Sequence, residues 1–454
     1  MEPRDVRLPG ELAERLARRA AALARLGSLA TESVELEPAQ AAALGAVAER
    51  LANTYPYGDP HYVGQMLKPP HPLAWAAYAT AMLLNPNNHA LDGGPATAEM
   101  EREAIAAIAA MFGYREHIGH LTSSGTIANL EALWVARELH PDRAIVFGEN
   151  AHYTHARMCQ LIGARADQVA QDEHGRMDTS ALEQRLRQGG VGTVVATLGT
   201  TSLGALDRLE EIVELCSHHG ARVHADAAYG GFFAVLADGR EPGVDRAPFA
   251  ALPRTDSIVV DPHKHGLQPY GCGCVLFSDP AVAGLYTHDS PYTYFTSNER
   301  HLGEISIECS RAGAAAAALW VTLEALPLTR EGLGGELAPS RRAAQAFARA
   351  LEDRDCSVVV APELDIVCPY PRLAGARAIS ETCERAFDSL AQAGWHVAKL
   401  QLRTDWLRRT HPGVEPDSDT LTTLRMVLMK PTHAPIVDEL AAAVCEHLTG
   451  AAST

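Results

Sequence analysis

Lys264 follows a short apolar, β-branched run, Ser257–Val260, and is flanked by His263 and His265. Pro262 and Gly266 stop that run, and Gly273–Phe277 starts another. A lysine beside a buried strand is rare unless it is paired or used. Partly desolvated, its neutral amine is the nucleophile of Schiff-base chemistry. On its own Lys264 reads as a surface-loop lysine, but other polar residues fall at equivalent places. Ser123-Ser124-Gly125-Thr126 precedes a helix pattern, where hydroxyls and free N–H groups suit an anion. His152 comes shortly after the run Ala144–Phe147, and Thr200 and Thr201 come after Thr193–Leu198. Asp226 is the first residue past Arg222–Ala225. Each has a bland reading as a cap, a loop histidine or a salt bridge. Open α/β sheets bind ligands outside the carboxyl ends of their strands, and five such sites on one edge share no bland explanation easily.

Together these residues meet the requirements of pyridoxal 5'-phosphate. Ser124, Gly125 and Thr126 suit the phosphate, and the amine of Lys264 suits the aldehyde. Asp226 suits the ring nitrogen, where an anion keeps the pyridinium protonated and maintains the electron sink. His152 can stack on one ring face, and the small Ala228 leaves room on the other.

The elements that must position these residues follow from periodicity. From Gly119 to about Phe277 strand and helix patterns alternate, the signature of an α/β fold with a mostly parallel central sheet. Thr126–Glu138, Leu206–His218 and Ala312–Leu326 are expected helices. Gly332, Gly334 and Gly335 mark a boundary, after which helix Ser340–Glu352 opens a small C-terminal α+β domain. Its expected strands are Ser357–Val360, Asp365–Cys368, Trp395–Gln401 and Leu424–Met429. Before the large domain, Glu11–Leu26 and Pro38–Leu51 read as amphipathic helices. Tyr55–Tyr78 holds five prolines among aromatics, a density that argues against a regular helix. The expected organisation is an N-terminal helical and aromatic segment over residues 1–80, a large domain over 81–330 and a small domain over 331–454.

Composition narrows the class. The 454 residues are 47% apolar and 21% charged, ordinary for a chain that buries a sizeable core. With 39 basic and 56 acidic residues the formal charge is −17, which argues against nucleic acid or an anionic membrane as partner. No apolar run reaches membrane-spanning length. Nine scattered cysteines without a CxxC pair suit a reducing compartment, and a cytoplasmic location is expected. A metal hydrolase using His224, Asp226, His263 and His265 is a rival reading. It lacks an HExxH spacing and leaves Lys264 and the Ser-Gly-Thr loop unused, so no metal is expected.

The chain also resembles the group II pyridoxal-phosphate-dependent amino acid decarboxylases. The resemblance lies in Asn87–Pro95 (Asn-Asn-His-Ala-Leu-Asp-Gly-Gly-Pro), His120–Leu130, Thr197–Thr201, His224–Tyr229 and Asp261-Pro262-His263-Lys264, within Tyr62–Trp320. The Asp-Pro-His-Lys form, with Gly64-Gln65-Met66-Leu67-Lys68, is most similar to microbial tyrosine decarboxylases. The resemblance implies an aspartate-aminotransferase-like architecture (fold type I) and a homodimer with shared active sites. It implies that an L-amino acid, aromatic and tyrosine-like, is converted to its amine and CO2. By the same likeness His263 helps hold the phosphate, Thr200 contacts the cofactor, and Tyr292 on the loop Tyr286–Asn298 is the proton donor, with Tyr294 as alternative. The chain departs from the family at Ser123-Ser124-Gly125-Thr126-Ile127, where Ser-Gly-Gly-Thr-Glu is common, and at His265. Oxidative decarboxylation to an aldehyde, transamination and lyase chemistry are alternatives on the same fold. Arg311 and Arg425 are read as ion-pairing residues rather than substrate ligands.

Overall fold

A computed structural model describes residues 36–286 and 300–450. Its centre is a seven-stranded sheet of β1 (Ile118–Thr122), β2 (Ala144–Gly148), β3 (Ala166–Val169), β4 (Val191–Thr197), β5 (Arg222–Asp226), β6 (Ser257–Val260) and β7 (Gly273–Phe277). The spatial order is β1-β7-β6-β5-β4-β2-β3. Only β7 opposes the rest, pairing antiparallel with β6 and β1. Strands β2, β4, β6 and β7 are buried along their whole length, as required where helices cover both faces of a sheet. That is why they read as continuous apolar runs rather than as alternation.

The covering helices include α1 (Pro38–Leu51), α2 (Pro72–Met82), α3 (Pro95–Met111), α4 (Gly125–Leu139), α5 (Thr154–Leu161), α6 (Thr179–Arg187), α7 (Leu209–His219) and α8 (Gly313–Ala325). Helix α4 starts at Ser124, whose side chain accepts from the N–H of Ile127 at 3.3 Å. Helix α7 ends at Gly220, whose φ of 64° supplies the left-handed stop. The small domain contains α9 (Gly334–Glu352), α10 (Ala376–Gln392) and α11 (Val437–Thr449). They pack on the antiparallel sheet of β11 (Ala398–Arg403), β12 (Thr420–Val427) and β9 (Ile366–Val367), beside a β8 (Cys356–Val358) and β10 (Pro369–Pro371) pair.

Three expectations need correction. Helix α2 forms inside the proline-rich stretch, because Pro72 occupies its first turn, where a missing N–H costs nothing, and His71 accepts from Leu73 N–H. Helix α9 begins at Gly334 and runs through Pro339 rather than starting at Ser340. Strands β1 and β3 were not anticipated, since Ile-Gly-His-Leu-Thr and Ala-Asp-Gln-Val lack a long apolar run. The first helix expected, Glu11–Leu26, lies outside the described residues.

The segment before residue 80 is not an independent layer. Val63 donates to His396 O at 2.8 Å and accepts from Val427 N–H at 2.8 Å, joining the small-domain strands. Lys430 then reaches back, its ammonium donating to the carbonyls of Tyr57, Asp59 and Tyr62 at 3.0, 2.6 and 2.7 Å. Burial pushes this lysine down to about 8, with Asp59 opposing the shift and Lys68 adding to it. Lys430→Met takes the ammonium away from three carbonyls, of which Asp59 O keeps the N–H of Tyr62. The expected loss is about 2–3 kcal/mol of unfolding free energy, read as a lower urea midpoint with an unchanged slope. An unaltered midpoint would mean that the clamp contributes nothing.

Candidate active site

The parallel order brings the carboxyl ends of β1, β4, β5 and β6 to one edge of the sheet. Register makes this concrete: Thr197 faces Asp226, Asp226 faces Val259, and Thr122 faces Gly273. Beyond that edge lies a cavity of about 320 Å³, within the range of small-ligand sites. Ser123, Ser124, Gly125, Thr126, His152, Asp226, Ala228, His263 and Lys264 all line it. The chain thus gathers in one place residues separated by up to about 140 positions in sequence.

Asp226 is buried, and its Oδ2 lies 2.8 Å from His155 Nε2. An ionised carboxylate only accepts, so Nε2 is the donor. Burial raises the carboxyl's affinity for a proton, but the His155 hydrogen bond and the charges of His155 and Lys264 outweigh it and hold Asp226 below the usual carboxylate range. Its Oδ1 accepts from Ala228 N–H at 3.2 Å. Behind it, His224 bridges Ser257 Oγ and Asn129 Oδ1, both at 2.9 Å, and burial pushes it down to about 3, so it is neutral. Asn129 in turn donates to Gly125 O at 2.9 Å, tying the phosphate-type loop to the strand that bears the acid.

Lys264 Nζ pairs with Asp261 Oδ2 at 3.0 Å. Asp261 also lies 3.5 Å from His263 Nε2, while His263 Nδ1 donates to Cys272 O at 2.7 Å. A Cβ on Gly125 would stand 2.5 Å from Asp261 Oδ1, so only glycine lets the first turn of α4 meet this carboxylate. That oxygen is buried without a hydrogen-bond partner among the described residues. His152 stands at the cavity wall, its Nδ1 accepting from Thr154 N–H at 3.2 Å at the start of α5. Burial pushes His152 down from its ordinary value.

Thr200 departs from expectation. It does not line the cavity; it is buried in a turn where its hydroxyl accepts from Ala205 N–H at 3.0 Å, and Thr201 lines the cavity instead. Tyr292 and Tyr294 lie outside the described residues. Arg311 is bound to Glu101 and to Leu121 O at 2.6 Å, an ion pair as expected. Arg425 pairs with no carboxylate among the described residues and donates to Thr201 O at 2.6 Å and Ser202 O at 3.2 Å. His224 is spent on Asn129 and Ser257, His265 faces Asp365, and no cluster of three metal-ligating side chains occurs among the described residues.

Sequence reasoning missed His155, Asp261 and Asn129. Asp261 stood in the quoted Asp-Pro-His-Lys, and the spacing His152-x-x-His155 at a helix start was the available signal for the other imidazole.

The residues present fit pyridoxal 5'-phosphate: a helix N-terminus for an anion, a buried acid held ionised, and an amine. Comparison agrees. A model of the pyridoxal-dependent decarboxylase conserved domain matches residues 59–369. The chain is similar to a protein named "Probable L-tyrosine/L-aspartate decarboxylase" of Methanothermobacter thermautotrophicus, 29% identical over 75% of this chain and 90% of that one. It is also similar to an L-tyrosine decarboxylase of Enterococcus faecium, 29% identical over 68% of this chain and 67% of that one. Among solved structures, Oryza sativa TDC with PLP and tryptamine shares the fold at a TM-score of 0.76 and 18% identity, covering 99% of this chain and 100% of that one. Mouse CSAD does so at 0.76 and 21% identity, covering 97% and 92%.

Gly125→Ala tests the geometry. The added methyl displaces Asp261 from the helix start and from Lys264. The expected outcome is at least about tenfold weaker binding of pyridoxal 5'-phosphate, by fluorescence titration, in a protein of unchanged far-UV dichroism. Unchanged affinity would refute the close packing of Gly125 on Asp261.

Proposed function

The chain belongs to the pyridoxal-dependent decarboxylase family, and on that footing we propose that it converts a tyrosine-like aromatic L-amino acid to its amine and CO2. The observation that carries this reading is that Lys264, Asp226 and the start of α4 open into one cavity. When bound, pyridoxal 5'-phosphate supplies an electron sink into which the bond between Cα and the carboxylate can break. The protein's own residues do the rest. The amine of Lys264 would hold the cofactor through its aldehyde. Asp226, kept ionised by His155, would hold a proton on the ring nitrogen. Ser124, Gly125 and Thr126, with His263, would hold the phosphate, and His152 and Ala228 would lie beside the ring. Tyr292 is the group proposed to return a proton to Cα.

The choice of an aromatic side chain rests on the lining. Tyr153 and Tyr270 border the cavity, and no arginine does among the described residues, so a second carboxylate, as in aspartate, has no guanidinium to meet. Relatives named for tyrosine agree with this reading.

We further propose a homodimer in the cytoplasm. Among the described residues, helix α1 buries none of its own and exposes Leu44, Val47 and Leu51. Such an apolar face suits coverage by a second copy of the chain. All nine cysteines are unpaired thiols, which fits a reducing compartment. No helix among the described residues is long and apolar enough to cross a membrane.

Lys264→Ala is expected to abolish amine and CO2 release and to remove the visible absorbance of the cofactor-bound protein. Normal amine production by this variant would end the proposal. With Tyr292→Phe, amine yield from tyrosine is expected to fall by at least about a hundredfold, with aldehyde rising in its place. An identical product profile by chromatography would remove Tyr292 from its role. Across a panel of L-amino acids, tyrosine should give a higher kcat/KM than aspartate, and the reverse order would overturn the assignment of substrate class.

A further inference from the structure

At the wall of the cavity, which Tyr229 itself lines, four ionisable side chains come together where both domains and the N-terminal segment join. Asp365 of the small domain is fully buried, as is His265, and Tyr229 is nearly so. Tyr229 donates to Asp365 Oδ1 at 2.6 Å, and His265 Nε2 lies 3.3 Å from Asp365 Oδ2. The His265 ring also sits edge-on to Tyr229 and Phe233, with centroids 4.7 and 4.8 Å apart. Lys68 is the fourth group, its ammonium donating to Met429 O at 3.1 Å. Burying such groups is costly, and none of them is needed to form the sheet. Packing alone would be served as well by apolar side chains.

Where the two large-domain contacts lie in the chain is informative. Tyr229 is three residues past Asp226, on the turn that leaves β5. His265 is the neighbour of Lys264, on the turn that leaves β6. Along that turn Lys264 points into the cavity while His265 points away from it into the junction. The turn itself is tight: a Cβ on Gly266 would stand 2.6 Å from Pro262 Cα, and Leu267 takes a φ of 64°. One carboxylate of the small domain therefore holds the Tyr229 turn by a hydrogen bond and packs 3.3 Å from the imidazole on the other turn, and its own backbone is fixed by Leu428 N–H at 2.8 Å.

We propose that Asp365 is a positioning residue that sets the relation between Lys264 and Asp226, acting through His265 and Tyr229. The inference rests on the reading of Lys264 as the cofactor-bearing amine. Its electrical setting supports it. Burial pushes Asp365 up to about 6, against the opposing pull of Tyr229, Lys68 and Arg425, so near neutral pH it is a charged acceptor for the Tyr229 hydroxyl. Burial pushes Lys68 down to about 8, against Asp365 and Glu336, and holds His265 well below its usual value.

The test uses holoenzyme of the wild type and of Asp365→Asn, Tyr229→Phe and His265→Gln. Two readouts are taken: the pH titration of the visible band of the lysine-bound cofactor, and steady-state constants on the best substrate. Each variant is expected to shift the titration midpoint and to lower kcat about tenfold or more, with KM within about threefold of wild type. Asp365→Asn combined with Tyr229→Phe should lose less than the product of the single losses, because both act on one contact. Glu241→Gln serves as comparator, since the buried Glu241 ties Arg330 and Arg342 at another seam of the same domains. It should lower the thermal midpoint while leaving the visible titration unmoved. Should Asp365→Asn fail to fold, Tyr229→Phe and His265→Gln decide the matter by the same readouts. Folded variants with wild-type titration and kcat overturn the inference, as do changes no larger than those of Glu241→Gln. A wild-type protein without any visible band overturns the reading of Lys264 itself, and the inference falls with it.

Discussion

The hydrogen bond between Asp226 and His155 is the interaction on which the site depends. A carboxylate buried at the end of a sheet strand tends to take up a proton, and a neutral acid cannot hold a pyridinium. His155 reverses that tendency by donating from 2.8 Å, and it comes from α5, the helix that follows a different strand, β2. The charge of Asp226 is therefore a consequence of topology. It exists because β2 and β5 flank β4 in the sheet order, which brings α5 over the end of β5. His224 and Asn129 extend the same logic, linking the acid's strand to the loop that opens α4.

The lysine is held by a different device. Asp261 sits between Lys264, His263 and the first turn of α4, three elements that come from separate parts of the chain. Its closeness to Gly125 depends on the absence of a side chain there. Two carboxylates thus divide the work. Asp226 is committed to one imidazole and faces the cavity, while Asp261 holds the amine in place until a ligand competes for it. Exchanging their environments would leave the same residue types with neither function.

Much of this was legible in the sequence, for a physical reason. Strands buried on both faces appear as short apolar runs, and in a parallel sheet their carboxyl ends must share an edge. Lys264, Asp226, His152 and the Ser124–Thr126 loop could therefore be brought together before any coordinates. What the sequence concealed was whatever depended on lateral packing. His155 looks like any helical histidine until the strand order puts it beside Asp226. Thr200 and Thr201 are indistinguishable by type, and only the turn that spends the Thr200 hydroxyl on Ala205 N–H leaves its neighbour facing the cavity. Pro72 read as a helix breaker because its position within the first turn is invisible without the cap at His71. Strands β1 and β3 were missed because each carries polar residues that a buried run would not.

The split into large and small domains gains meaning from the same contacts. The N-terminal segment is pinned to the small domain through Val63 and Lys430, and α2, which follows it, packs against α8 of the large domain. The small domain cannot shift without drawing on both. Polar groups with directional demands at this seam also define its register more sharply than apolar packing does, since a displacement of about an ångström lengthens hydrogen bonds beyond use. A cofactor site requires that precision, because bond cleavage on a flat ring depends on angle as well as distance. The fold therefore puts directional contacts around the reacting groups and leaves apolar packing to the rest of the core.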